Sequence, residues 1–171
     1  MKSKNSKTVI VTGSSRGLGK SIIQLFSEKN YNVVINYKNN KESALELESK
    51  IKKINKNVIV IRADVSNRKQ VKNLFQKTLS RFGQIDILVN NAGINRRGFF
   101  EDITDDDWDD ILSNNLKSVF ICCQEVFKHM KKRGGNIINI SSAASQYHGP
   151  KTVHYAVSKA GVNSLTKVVA R

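Results

Sequence analysis

Two side chains late in the sequence are spaced to act on one proton. In Tyr155-Ala156-Val157-Ser158-Lys159 a phenol and an ammonium stand four residues apart, which places both on one face of a helix. A free phenol gives up its proton only near pH ~10. Acid–base work near neutrality therefore needs something that stabilises the anion, and a fixed neighbouring cation does so. Lys159 can take that part and can also bind sugar hydroxyls. The pattern alone is common on helix surfaces. Its weight comes from two companions: a hydroxyl at Ser142, thirteen residues before the phenol, and a glycine-rich turn near the other end of the chain.

That turn is Thr12-Gly13-Ser14-Ser15-Arg16-Gly17-Leu18-Gly19, between the apolar run Val9-Ile10-Val11 and the apolar set Ile22, Ile23, Leu25 and Phe26. A strand that passes through glycines into a helix aims unpaired N–H groups, and the positive end of the helix dipole, at one spot. Phosphate is attracted there. Gly13 allows the tight turn, while Gly17 and Gly19 remove side chains where a ligand or the sheet comes close. The spacing G-x-x-x-G-x-G is not the commoner dinucleotide spacing G-x-G-x-x-G, so the plainer reading is a structural turn.

These groups need elements to bring them together, and the hydrophobic pattern supplies them. Val9-Ile10-Val11 reads as a first strand and Asn32-Val33-Val34-Ile35-Asn36-Tyr37 as a second. A helix follows, with Ala44, Leu47, Ile51 and Ile54 at helical spacing. Val58-Ile59-Val60-Ile61 reads as a third strand, and Val71, Leu74, Phe75, Thr78, Leu79 and Phe82 stripe the next helix. Ile85-Asp86-Ile87-Leu88-Val89 reads as a fourth. A long helix is expected over 107–133, with Ile111, Leu112, Val119, Val126 and Met130 facing inward. Asn136-Ile137-Ile138-Asn139-Ile140 is the fifth strand, and a last helix begins near Val153. Apolar strands alternating with helices imply a parallel sheet covered on both faces. The expectation is one doubly wound α/β domain over residues 1–171, with no repeat or linker.

In such sheets ligands bind outside the C-terminal ends of the strands, where the strand order reverses. Strand two ends in Asn36-Tyr37-Lys38, where the adenosine ribose of a dinucleotide would lie. An NAD site places an acid about 20 residues beyond the turn. This sequence has neutral and basic residues there, and Arg16 adds a guanidinium suited to bidentate phosphate binding. That favours NADP(H); solvated surface cations are the bland alternative. Strand three ends in Asp64-Val65, an acid that could accept a hydrogen bond from an exocyclic amine such as adenine's, or cap the following helix. Strand four ends in Asn90-Asn91-Ala92-Gly93, with Asn90 read as structural and Asn91 as close to the cofactor. Ala92 and Gly93 let backbone approach a flat ring. Strand five delivers Ser141-Ser142 to the same crevice, although serines there more often serve turns and caps.

Composition narrows the class. Lysine and arginine number 29 against 14 acids, a net charge of +15, which invites a nucleic-acid reading. The lysines are spread over every expected helix and no nucleic-acid motif accompanies them. No specific nucleic-acid binding is expected; a broad positive field would instead attract an acidic substrate or partner protein. No apolar run is long enough to span a bilayer, and residues 1–7 lack the apolar segment of a secretory signal. A cytoplasmic protein with no membrane association is expected. Cys122 and Cys123 are adjacent, and His129, His148 and His154 are scattered, so there is neither a disulfide framework nor metal-ligand spacing. The histidines read as surface or loop residues.

Taken together, the glycine turn, Asp64-Val65, Asn90-Asn91-Ala92-Gly93, Asn115-Leu116, Ser141-Ser142 and Tyr155-x-x-x-Lys159 resemble the short-chain dehydrogenase/reductases, in that family's order and at its spacings, over essentially the whole chain. The nearest subgroup looks like the 3-oxoacyl-[acyl-carrier-protein] reductases, through Val33-Val34-Ile35-Asn36-Tyr37 and Asn90-Asn91-Ala92-Gly93-Ile94. Asn95-Arg96-Arg97-Gly98 also resembles sugar and polyol dehydrogenases of the family. The resemblance implies a Rossmann-type fold, an NADP(H) cofactor and a small-molecule or carrier-bound carbonyl substrate. It implies cofactor contacts from Thr12, Gly13, Ser15, Arg16, Gly17, Leu18, Gly19, Asn36, Tyr37, Lys38, Asp64, Val65, Asn91, Ala92, Gly93, Tyr155 and Lys159. It makes Tyr155 the general acid in carbonyl reduction, with Lys159 stabilising its anion and holding the nicotinamide ribose. Ser142 would steady the developing alkoxide. Asn115 would hold a water in a proton relay to Lys159, or else satisfy a local kink in the long helix; Asn114 is the weaker choice because the family's asparagine directly precedes the leucine.

Family members continue well past the last helix, with a further strand, a substrate loop and a closing strand and helix. The apolar pattern of Leu165-Thr166-Lys167-Val168-Val169-Ala170-Arg171 runs on without a glycine or proline stop. A chain truncated after the helix carrying Tyr155 and Lys159 is therefore expected, with strand five at an open edge and slow or no turnover. Relatives pair through the long helix and the Tyr155 helix, so a homo-oligomer, dimer or tetramer, is expected for a full-length form.

Overall fold

A computed structural model of the chain describes residues 6–147 and 151–170. His148 and residues 1–5, on which the sequence carries expectations, lie outside the described residues. Five parallel strands, β1 (Thr8–Val11), β2 (Asn32–Tyr37), β3 (Val58–Arg62), β4 (Ile87–Asn90) and β5 (Asn136–Asn139), form one sheet in the order β3-β2-β1-β4-β5. Six α-helices connect and cover them: α1 (Gly17–Glu28), α2 (Lys41–Lys52), α3 (Arg68–Phe82), α4 (Asp105–Leu112), α5 (Ser118–Met130) and α6 (Val153–Val169). This is the expected Rossmann-like α/β architecture.

The two-residue period of a strand divides the apolar runs between two cores. Ile10, Val34 and Leu88 point to the face covered by Leu74, Phe75 and Val126 of α3 and α5. Val9, Val11, Val33, Ile35 and Val89 point to the other, against Ile23, Leu47 and Ile51 of α1 and α2. Burial of each such side chain contributes about 1.5–3 kcal/mol, and a strand apolar on both faces is stable only where helices cover both. β1 pairs with β2 on one side and β4 on the other. The order therefore reverses beside β1, and a crevice opens at the C-terminal ends of β1 and β4.

Three local expectations change. Strand four begins at Ile87 rather than Ile85. Ile54 is 60% exposed, because α2 stops at Lys52 and the chain turns before the fourth stripe position is reached. The helix expected over 107–133 is two helices, joined by a π-turn over Ser113–Lys117. A π-turn inserts one extra residue per turn, which rotates α5 relative to α4. β5 has β4 on one side and no strand on the other among the described residues, and Ile138 is 44% exposed.

Candidate active site

The glycine turn is held by side chains rather than by its glycines alone. Gly13 and Gly17 sit at φ +62° and +56°, the left-handed region that side-chain-bearing residues avoid. A Cβ on Gly13 would lie 3.0 Å from the Ala92 Cα, and one on Gly19 would lie 2.5 Å from the Asn91 Nδ2. Gly19 thus removes a side chain for close approach, as expected. Gly17 has nothing within 4 Å of such a Cβ, so among the described residues its backbone angle is what requires glycine.

Asn36 was expected at the ribose. Its amide is instead spent on the frame: Oδ1 accepts from the Gly13 N–H at 3.0 Å, and Nδ2 donates to the Ile61 and Ala63 carbonyls at 3.3 and 3.1 Å. Thr12 is likewise buried, its hydroxyl accepting from the N–H groups of Asn91 and Ala92, both at 3.0 Å. Asn91 Nδ2 donates back to the Thr12 carbonyl at 2.9 Å. The Gly13 bond ties the turn to β2 and the Thr12 and Asn91 bonds tie it to the residues after β4, while Asn36 Nδ2 joins β2 to the end of β3.

A cleft of about 530 Å³ opens over the turn. Of the residues expected at a cofactor, Gly13, Ser15, Arg16, Gly17, Asn36, Tyr37, Lys38, Asp64, Val65, Asn91, Ala92 and Gly93 border it. Thr12, Leu18, Gly19, Tyr155 and Lys159 do not. Arg16 stands at the N-cap of α1, exposed and without a side-chain partner among the described residues, and no acid occupies the first turn of α1. Lys38 has a partner that the sequence did not suggest: its Nζ lies 2.8 Å from the Asp64 carboxylate and 3.4 Å from Asn114 Oδ1. Burial alone would raise the Asp64 pKa; hydrogen bonds from Lys38 and Ser66 outweigh it and hold the carboxyl below its ordinary range. Asp64 does not cap α3, which Asn67 does by accepting from the Gln70 N–H. Asn114, set aside in favour of its neighbour, borders the cleft.

A second cluster joins the far end of this cleft. Lys159 is 4% exposed, its Nζ donates to the Ile140 carbonyl at 2.8 Å, and it lies 5.8 Å from the centre of the Tyr155 ring. Burial pulls the Lys159 ammonium below the usual lysine range. A Cβ on Gly93 would sit 3.6 Å from that Nζ and 3.1 Å from Asn115 Oδ1, so Gly93 is where cleft and cluster meet. Tyr155 is half-buried. Asn115 is fully buried in the π-turn. Its Oδ1 accepts from the Ile94 N–H and its Nδ2 donates to the Ile94 carbonyl, both at 2.8 Å, and to Ser158 Oγ at 3.1 Å. The amide therefore clamps the loop after β4 to α6 rather than mending its own helix. Ser142 Oγ accepts from the Ala144 N–H at 3.2 Å, capping the short 3-10 turn Ala143–Ser145, and its hydroxyl proton has no acceptor among the described residues. Ser141 donates to the Lys159 carbonyl at 3.2 Å.

His154 departs furthest from its expectation. It is 1% exposed inside α6, not a surface or loop residue, because it occupies the inward face of the helix that carries Tyr155 on its neighbouring face. His129 is exposed. Among the described residues no cluster of His, Cys, Asp and Glu is placed to hold a metal ion, and no helix is long and apolar enough to cross a membrane.

Comparison with known proteins adds a lineage to this geometry. A family model described as short chain dehydrogenase matches residues 7–171. The 3-oxoacyl-[acyl-carrier-protein] reductase FabG of Staphylococcus aureus is 40% identical over 169 residues, which cover 98% of this chain and 69% of the relative. That of Staphylococcus epidermidis is 39% identical over 167 residues, 97% of this chain and 68% of the relative. The Chlamydia pneumoniae enzyme of the same name is 40% identical over 166 residues, 96% and 66% of the two chains.

Proposed function

The chain belongs to the short-chain dehydrogenase family, an oxidoreductase family, and from that premise we propose that it is an NADPH-dependent carbonyl reductase acting on a 3-oxoacyl thioester held by an acyl carrier protein. The observation that carries the reading is the buried Lys159 ammonium, fixed by the Ile140 carbonyl, beside the Tyr155 ring and one small residue, Gly93, from the glycine-lined cleft.

The residues fit a phosphorylated dinucleotide. The first turn of α1 offers N–H groups with no acid to compete for them, which favours a pyrophosphate. Arg16 is a guanidinium at that turn without a side-chain partner among the described residues, and no carboxylate ends β2. Lys38 neutralises Asp64, the one acid bordering the cleft among the described residues. A 2′-phosphate is therefore met by cations, and NADPH is preferred over NADH. When bound, reduced nicotinamide supplies the hydride for the carbonyl carbon. Tyr155 donates its hydroxyl proton to the carbonyl oxygen, and Lys159 stabilises the phenolate left behind while binding the ribose hydroxyls. Ser142, whose hydroxyl proton is uncommitted, donates to the same oxygen and stabilises its developing charge. Asn115 acts by position: it fixes Ile94 and Ser158, and through them the loop and helix that frame Lys159, and it serves the water relay by which that lysine's proton is replaced.

Three surroundings go with this reading. A cytoplasmic setting suits the substrate, the positive field favours an acidic carrier protein over nucleic acid, and homo-oligomers form through α5 and α6, whose Phe120, Phe127 and Val157 are exposed. Nicotinamide fluorescence on titrating the protein with NADPH and with NADH, followed by absorbance after adding an acetoacetyl thioester, tests the core of it. NADPH is expected to bind about tenfold more tightly, the scale of one charge-assisted hydrogen bond, with the preference lost in Arg16→Ala. Equal or tighter NADH binding removes the NADPH assignment. Binding without oxidation leaves a nucleotide-binding module.

A further inference from the structure

Beside the catalytic cluster lies a second cavity, of about 570 Å³, bordered by the loop after β4, the start of α4 and the first turn of α6. Its wall includes His154, which is 1% exposed and whose Nδ1 has no hydrogen-bond partner among the described residues. Buried polar atoms are almost always paired, and one that is not calls for an explanation. The surrounding charges supply it. Arg96 is spent on Asp107 and Asp110, at 3.3 and 2.7 Å. Arg97 is exposed and unpartnered among the described residues. Lys151 lies 4.0 Å over the Phe99 ring, and its carbonyl accepts from the Gly98 N–H at 3.0 Å, which pins this loop to the base of α6. The first turn of α6 holds no acid. Among the described residues Asp102 is the one acid on the wall without an ion pair, so the free charge there is net positive.

We propose that this cavity binds a phosphate group belonging to the substrate, with Arg97 and Lys151 supplying charge and His154 a hydrogen bond. Cations on two separate segments, a helix N-terminus and an imidazole suit a tetrahedral oxyanion with several acceptor oxygens. Two chain segments link the cavity wall to the proposed catalytic groups, since His154 precedes Tyr155 in α6 and the Arg96–Arg97 loop follows Gly93. A phosphate on the carrier arm of a thioester would be gripped there while its carbonyl lies at Tyr155. The source of the phosphate rests on the proposed reductase function; phosphate binding by the cavity does not.

Two arms keep these apart. Histidine ring signals are followed by NMR at constant pH while inorganic phosphate is added. His154 is expected to shift saturably and His129 not at all, with binding weakened about tenfold in the Arg97→Ala/Lys151→Ala double variant, the scale of one charge-assisted bond. An unmoved His154, or an equal response in the double variant, overturns the site whether or not the protein turns over. In the second arm KM is compared for acetoacetyl-phosphopantetheine and acetoacetyl-pantetheine. A KM about tenfold lower for the first, lost in Arg97→Ala, supports the substrate as source. Equal KM values overturn that source and leave free phosphate as the occupant.

Discussion

The two halves of the sheet treat polar residues in opposite ways. In the β1–β2–β3 half, Asn36 and Thr12 are buried and their side chains are spent on the frame, on the Gly13 N–H, on the end of β3 and on the residues after β4. In the β4–β5 half, β5 alternates between exposed and half-buried residues, Ser142 keeps a proton uncommitted, and His154 Nδ1 is buried without a partner among the described residues. Around the glycine turn the buried side-chain amide and hydroxyl are paired, which makes that part stiff because each displacement strands a donor or acceptor away from water. The exception in this half is Ser27 Oγ in α1, buried without a partner among the described residues. A region with unspent groups has capacity left for a ligand. The contrast separates a half whose polar groups frame the turn from the half to which the proposed function assigns the chemistry.

The largest break in that contrast comes from the chemical half. Tyr155→Phe is expected to lower kcat by about two to four orders of magnitude, the usual worth of a general acid, while the urea midpoint and NADPH binding stay close to the parent's. Comparable loss of NADPH binding would mean that the ring is part of the frame. Single-turnover absorbance together with urea titration reads both.

Next in size is a cut in the frame itself. Asn36→Ala removes the side-chain hydrogen bonds to the Gly13 N–H and to the Ile61 and Ala63 carbonyls, and a loss of about 1–3 kcal/mol is expected, together with weakened nucleotide binding. Ile138→Thr, on the exposed face of β5, is expected to stay within about 0.5 kcal/mol of the parent. Urea denaturation of the pair measures the asymmetry, and equal effects would erase it.

Acid sharpens the comparison with the smallest effect. The folded Asp64 pKa is depressed below 3.8, so its contribution is complete above that value and is lost as pH falls through the lower, folded one. The pair is partly exposed, and its worth is about 0–1 kcal/mol. Between pH ~5 and ~3 the parent should lose slightly more stability than Asp64→Asn, measured by urea midpoints; an identical slope would mean the Lys38 contact contributes nothing.

Much of the site was legible because strand and helix periods differ, and because each strand's last residues must face the same crevice once the sheet is parallel. Asn91, Ala92, Gly93 and Asp64 were placed on that ground alone. Lys38 and Asn36 were placed at the right strand end but with incomplete roles. The Ile61 and Ala63 carbonyls that hold Asn36 lie 25 and 27 residues away, Asp64 is as distant from Lys38, and no local pattern marks such pairs. The π-turn at Asn115 was hidden for a similar reason: its clamp reaches back 21 residues to Ile94. His154 was misread because a single polar residue within an apolar helix face carries no periodic signal of its own.

The amino-acid order alone determined the alternation of strand and helix, the positions of the turns and the set of residues at the strand ends, since these depend on contacts within a few residues and on φ angles that glycine tolerates. Which of those residues spend their hydrogen bonds on the protein, and which keep them for something else, was decided only by folding. Satisfaction of a buried polar group is a property of its neighbours in space, and those neighbours are drawn from distant parts of the chain.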